Sequence, residues 1–215
     1  ITGERGGPMT RSVADLAVML DVLAGFDAFD LWTANSLGQM PLESYASFVD
    51  PDSVNGIRIG VMKEGWDFHF PAHDPEVVEM AEKAIGVFSE NGAKVFRPVS
   101  LGLDLPNYLQ ANSSPSRYER IHAIDHYLAR QGPEYPFKNA RELLLIDDDV
   151  PTRDRDLLLI EADVDMDRDP SYRATLAGKA ALRKAVIALM DRYEVDALIY
   201  PHKLSKALKL GPRTD

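Results

Sequence analysis

Asn55-Gly56-Ile57-Arg58-Ile59-Gly60-Val61-Met62, followed by Asp74-Pro75-Glu76-Val77 and then Asn91-Gly92-Ala93-Lys94-Val95-Phe96-Arg97, is the stretch that decides the fold. Asn-Gly is a turn signal, and Ile57–Met62 is a short β-rich run. Asp74, Pro75 and Glu76 open a helix in the favoured order of cap, proline at the first helical position and acid in the first turn. Val77, Val78, Ala81, Ala84, Ile85 and Phe88 recur at helical spacing, and Asn91-Gly92 closes the helix. Lys94–Arg97 follows as a second strand. Strand, loop, helix, turn, strand makes a βαβ unit, which requires parallel strands joined by a right-handed crossover.

Working outward toward the C-terminus, residues 63–73 read as a loop carrying Trp66, Phe68, His69 and Phe70, and residues 98–105 as another. Helical patterning resumes near Asn107 and breaks at Pro115. Ser116-Arg117-Tyr118-Glu119 has the spacing of a capping box for a helix that Gly132-Pro133 stops. Asn139-Ala140-Arg141-Glu142 opens a short helix, and Thr152 is placed as the cap of a further one through Leu157 to Ile160. Asp169-Pro170 opens the longest helix, with Tyr172, Leu176, Ala180, Leu182, Val186, Ile187, Leu189 and Met190 in register. Ala197-Leu198-Ile199-Tyr200 then reads as a third, buried strand ending at Pro201. The expected architecture is α/β: a mixed, largely parallel central sheet flanked by helices. Residues 1–215 form a single domain with a helix-rich insertion at about 100–190.

Toward the N-terminus, residues 26–53 lack a sustained period and read as a long surface connection pinned by Phe29, Trp32, Tyr45 and Phe48. Before it, Gly6-Gly7-Pro8 delivers the chain into a helix capped by Ser12, with Asp15 placed to return the bond. Val13, Leu16, Ala17, Leu20, Leu23 and Ala24 form one apolar stripe, the mark of a core helix, and Gly25 stops it.

Composition narrows the chemistry. The chain has 215 residues, 45% of them hydrophobic, enough for a sizeable core. Absence of cysteine removes disulfides, thiolate nucleophiles and cysteine-based zinc sites, and fits a reducing compartment. No apolar run approaches the roughly 20 residues of a membrane span. A net charge of −10 argues against broad nucleic-acid or anionic-membrane binding.

Five patterns bear on chemistry. His122 and His126 stand four apart on a helix, a spacing that lets two imidazoles share a metal, but the glutamate base is replaced by Ala123 and no third ligand is marked. Asp163, Asp165, Asp167 and Asp169 alternate as in a calcium loop, yet positions six and twelve are Arg168 and Ala174 where glycine and glutamate are needed. The run from 147 to 169 carries a local charge of −7 and reads as a solvated acidic edge. No serine sits in a Gly-x-Ser-x-Gly elbow. The Gly-Gly-Pro-Met-Thr-Arg turn is able to approach an anion with its backbone N–H groups, though it lacks the Gly-Lys-Ser/Thr ending of a phosphate loop.

Gly-Pro-Met-Thr-Arg-Ser-Val-Ala-Asp-Leu-Ala at 7–17 and Leu-Asp-Val-Leu-Ala-Gly-Phe-Asp at 20–27 resemble the segment just after the nucleophile in amidase-signature enzymes. Asn55–Val61, Asp74–Val77 and Asp196-Ala197-Leu198-Ile199-Tyr200-Pro201 fall in that family's order. The resemblance covers most of residues 6–201, closely at the ends and loosely between about 100 and 190. It implies hydrolysis of a carboxamide C–N bond through an acyl-serine, using a serine–cis-serine–lysine triad. The glycine- and serine-rich segment bearing that triad is not in this sequence, so no catalytic residue is assigned and the chain is expected to be an inactive piece of a longer enzyme. By the same resemblance, Thr10 and Arg11 lie near the catalytic floor, and Tyr108 and Asn112 face substrate. Tyr200, Pro201 and His202 would wall the pocket, since ligands of open α/β sheets sit beyond the carboxyl ends of strands. The family often has threonine after this proline, and His202 is a departure. The implied partner is a small-molecule amide, with no cofactor, no membrane and a cytoplasmic setting; a homodimer is open. The alternatives are the A-type chain of a glutamyl-tRNA amidotransferase, which would bring in a charged tRNA, and a non-enzymatic α/β binding module of the same descent.

Overall fold

The computed structural model describes residues 6–67, 73–112, 115–146, 152–162 and 164–207. Its centre is a three-stranded parallel sheet of β1 (Arg58–Met62), β2 (Lys94–Val99) and β3 (Ala197–Ile199), in the order β2-β1-β3. Ile59 pairs with Val95 on one side and with Ala197 on the other. The βαβ reading therefore holds, and the third strand adds to the free edge of the first. One detail is that β2 runs past Arg97 to Val99, because proline, lacking an N–H, is tolerated on an edge strand; the register with β1 shifts between Gly60 and Met62.

The N-terminal helix α1 spans Val13–Leu23. Ser12 caps it, accepting from Asp15 N at 3.1 Å. The expectation of a core helix is not met. Only Ala17 is buried, while Val13 and Leu23 are 70% and 60% exposed. The helix packs instead on the 3-10 turn Tyr45–Phe48. An apolar stripe specifies that a face wants covering, not which surface covers it. Two further 3-10 turns, Leu31–Ser36 and Pro51–Val54, occupy the connection. Its aromatics are less firmly held than expected: Phe29, Trp32 and Phe48 are all more than half exposed, and Phe29 lies under the Arg130 guanidinium at 5.2 Å.

Met62 leads directly into a helical turn, α2 (Lys63–Asp67), where a loop was expected; Phe68, His69 and Phe70 lie outside the described residues. The crossover helix α3 (Pro75–Glu90) begins as its sequence dictates: the Asp74 carboxylate accepts from Glu76 N at 3.0 Å, with Pro75 in the first turn. It ends at Asn91, followed by Gly92 at φ 89.

Beyond β2, α4 (Leu105–Asn112) leads into a helical cluster. Helices α5 (Ser116–Ala129), α6 (Ala140–Ile146) and α7 (Thr152–Ala162) build it around Ile121, Ala140 and Leu144. Two of their starts depart from expectation. Pro115 occupies the capping position of α5, so Ser116 lies inside the helix, and the buried Glu119 accepts from the Tyr172 hydroxyl. Thr152 is the first residue of α7, not the residue before it. Asn139 behaves as expected: its side-chain oxygen accepts from Glu142 N at 2.9 Å, and its Nδ2 donates to Glu142 Oε1 at 3.0 Å, at the start of α6.

The long α8 (Pro170–Tyr193) returns the chain to the sheet and packs with α4 over it. Met62, Val99, Leu105 and Leu189 are the buried centre of this layer. Asp169 caps α8, accepting from both Ser171 N and Tyr172 N.

Candidate functional site

Parallel strands end together, so the chain segments leaving β1, β2 and β3 meet at one edge of the sheet. A cavity of about 440 Å³ opens there, within the few hundred to a thousand Å³ usual for small-ligand sites. Met62 and Glu64 come from the end of β1, Leu101 from the segment after β2, and Tyr200, Pro201 and His202 from the segment after β3. Leu105, Leu109 and Leu182 close it from the α4–α8 side.

The approach of α2 to the end of β3 depends on Gly65. A Cβ at this position would lie 2.4 Å from Tyr200 Cβ, so only glycine lets the helical turn press against Tyr200. Glu64, one residue earlier, places a buried carboxyl group in this wall. It is 3% exposed, and its Oε1 accepts from Ser100 Oγ at 2.6 Å and from Gly102 N at 3.1 Å. Its Oε2 is buried without a hydrogen-bond partner. Sequence reading missed Glu64 by placing it in a loop; the signal was the abrupt end of a buried strand at Met62, directly before the Lys63-Glu64-Gly65 triplet.

Of the residues singled out in the sequence, Tyr200, Pro201 and His202 share this wall. Tyr108 and Asn112 line an adjoining cavity between α4 and α8, with Lys179, Arg183 and Ile187. Their polar atoms are occupied by packing: Tyr108 donates to the Gly178 carbonyl at 2.7 Å, and Asn112 donates to the Tyr108 carbonyl at 2.9 Å. Thr10 and Arg11 are exposed at the start of the N-terminal helix and are not part of either wall; the Thr10 hydroxyl donates to the Ser12 carbonyl at 2.8 Å.

The two metal patterns are absorbed by local structure. His122 Nε2 lies 3.0 Å from the Val164 carbonyl oxygen, and both histidines border a separate groove against Trp32 and Tyr172. Among the described residues no three His, Asp or Glu side chains converge as metal ligands. Asp165 accepts from Asp167 N, Asp169 caps α8, and Asp163 lies outside the described residues. Likewise, no helix among the described residues is long and apolar enough to cross a membrane.

Comparison with known proteins places this geometry. A family model described as Amidase matches residues 3–215. The chain belongs to the Amidase family. It is 34% identical over 158 residues to an amidase of Pseudomonas putida, an alignment covering 69% of this chain and 29% of that protein. It is 36% identical over 126 residues to the A-type chain of the glutamyl-tRNA(Gln) amidotransferase of Alkalilimnicola ehrlichii, covering 55% of this chain and 24% of that one. The native peptide amidase of Stenotrophomonas maltophilia superposes with a TM-score of 0.63 at 24% identity, over 89% of this chain and 39% of that one, a likeness of fold. The chain thus spans about a quarter of the length of curated Amidase-family relatives that it matches. The parallel sheet with its flanking helices is that part of the family's fold.

Proposed function

We propose that this chain is the scaffold and pocket-wall portion of an enzyme that hydrolyses a carboxamide C–N bond. The observation that carries the reading is the family match across residues 3–215. A serine–cis-serine–lysine triad, supplied from sequence upstream of residue 1, would form the acyl-serine, with the second serine relaying the proton and the lysine as base. Backbone N–H groups near the nucleophile would stabilise the oxyanion. The 215 residues would then contribute the floor and wall of the substrate pocket, Tyr200, Pro201 and His202 among them, with the helical segment at about 100–190 shaping its outer side. Alone they are inactive.

The second reading is the A-type chain of an amidotransferase, working with a partner chain, ATP and a charged tRNA. It is favoured by the 36% identity to a protein of that name. The longer alignment with the Pseudomonas amidase and the net charge of −10 favour the hydrolase. Expression of the complete reading frame with a panel of aliphatic, aromatic and peptide carboxamides distinguishes them. Ammonia release by the complete protein and none by the 215-residue chain supports the proposal. Glutamine-dependent ammonia transfer requiring a second protein chain supports the alternative. A complete frame lacking the two serines and the lysine overturns both, leaving a binding module.

A further inference from the structure

The groove between α4 and α8 runs against the charge of the chain. The chain carries −10 overall, yet α8 holds Arg173, Lys179, Arg183, Lys184 and Arg192 against Asp191 alone. Lys179 and Arg183 stand four residues apart, which places them on one face of the helix, and both border the groove. Its volume is about 630 Å³, and among the described residues that line it there is no Asp or Glu. The neutral polar groups of the wall are engaged in the contact between the helices: Tyr108 donates to the Gly178 carbonyl, and Asn112 donates to the Tyr108 carbonyl. Arg183 is different. Its side chain is exposed, and among the described residues it has no ion-pair or hydrogen-bond partner.

We propose that this groove binds a free amphipathic monocarboxylate, its head on Arg183 beside Lys179 and its alkyl body along Leu109, Leu182, Val186 and Ile187. The head group follows from the charges. An ammonium would meet two cations and no carboxylate. A neutral hydroxyl or amide would be accepted by Tyr108 or Asn112 but would forgo a charge-assisted bond, which is the stronger kind. A carboxylate presents two oxygens to the guanidinium fork and takes both bonds at once. The body follows from the floor. Leu109, Leu182 and Val186 line this groove and the cavity beyond the strand ends, so apolar surface continues from one into the other. Ile187 is 50% exposed and would be covered by an alkyl chain lying over it. Hydrolysis of a carboxamide leaves a carboxylate of this class, but recognition in the groove does not depend on that reaction. Binding is read without turnover, so the two proposals succeed or fail separately.

The probe is octanoate, titrated into the 215-residue chain at neutral pH alongside octylammonium and 1-octanol, which share its tail. Calorimetry gives the affinities, and the Gly178 amide with the Leu182 and Ile187 methyl groups locates the site by chemical shift. Saturable octanoate binding at least about tenfold tighter than either other head, the difference one charge-assisted bond makes, with those signals shifted, supports the proposal. The comparison with octylammonium is the demanding one, because general attraction to a chain of charge −10 favours the ammonium. Arg183→Gln, folded by its circular dichroism, should lose about tenfold in octanoate affinity while 1-octanol binding stays unchanged. Octylammonium or 1-octanol binding as tightly as octanoate overturns the proposal. So does an octanoate affinity unchanged in R183Q, a set of shifts that leaves out Gly178, Leu182 and Ile187, or the absence of saturable octanoate binding. Should R183Q fail to fold, the three heads and the shifts on the native chain decide alone.

Discussion

The Tyr172 hydroxyl donates to Glu119 Oε1 at 2.8 Å, joining the first turn of the long helix to the first turn of α5. Tyr172 also packs on Tyr118, ring centroids 5.4 Å apart. These contacts tie the helical cluster of α5, α6 and α7 to the helix that lies over the sheet.

Replacing Tyr172 by phenylalanine keeps the ring and removes the bond to a buried carboxyl. The expected loss is about 1–3 kcal/mol, read as a lower urea midpoint with an unchanged slope. An unchanged midpoint would show that the bond holds nothing together.

Burial, followed by the Glu119 hydrogen bond, pushes the Tyr172 phenol from 10.0 up to about 12. A raised value means the neutral form is favoured in the folded state. The stabilisation is therefore complete below pH 10 and is lost as pH climbs from 10 toward 12, where the unfolded chain ionises first. Thermal melts across that window should fall more steeply for the native chain than for Tyr172→Phe.

Gly65→Ala places a methyl group 2.4 Å from Tyr200 Cβ. Relief requires moving α2 or the Tyr200-Pro201-His202 segment, at about 1–3 kcal/mol for an overpacked site. The expected signature is a lowered melting temperature together with a changed environment of the neighbouring Trp66, measured by fluorescence. A native-like spectrum and melt would show that the gap is wider than the geometry indicates.

Gly178→Ala brings its new carbon 2.1 Å from Asn112 Oδ1. Alone it should destabilise by about 1–3 kcal/mol. Adding Asn112→Ala removes the obstructing amide, so the double variant should be more stable than the sum of the single effects, a coupling that a mutant cycle measures directly. Strict additivity would mean that the α4–α8 contact is not where the strain falls.

Asp21 holds the connection onto the N-terminal helix, accepting from Ser44 Oγ at 2.5 Å and Tyr45 N at 2.6 Å. The Ser44 bond first, then the Tyr45 bond, draws its carboxyl below the usual 3.8. That contribution is present above pH 3.8 and fades as pH falls through the lowered value. Asp21→Ala should speed hydrogen exchange at the Tyr45 amide at neutral pH and leave it nearly unchanged under strongly acidic conditions. Equal exchange in both proteins at neutral pH refutes the anchoring role.

The sheet was legible because each strand is a short β-rich run beside an explicit helix boundary: Asn91-Gly92 before Lys94, and Glu194-Val195-Asp196 before Ala197. Caps supplied by Asp74, Asn139 and Asp169 were legible for the same reason, since each is decided within four residues. What long-range contact decides was not. Glu119 has the spacing of a capping residue, yet a tyrosine 53 positions away engages it. Tyr108 and Asn112 have polar side chains suited to substrate, but the close passage of Gly178 engages them in helix packing. The pocket wall at Tyr200–His202 followed from a rule about strand ends; the buried carboxyl beside it did not, because Glu64 becomes interior only when Gly65 meets Tyr200.

The middle strand of the sheet acquires its two neighbours at very different times. β2 is about 35 residues away and joins through a local unit, whereas the Arg58 amide finds its Asp196 carboxylate 138 residues further along. Closing so long a loop is entropically slow. During synthesis, one side of Arg58–Met62 therefore waits, bare and apolar, until Ala197–Ile199 has emerged. That interval is when a nascent copy is most vulnerable to pairing with another, and slower translation or a bound chaperone would govern yield more than the stability of the finished fold.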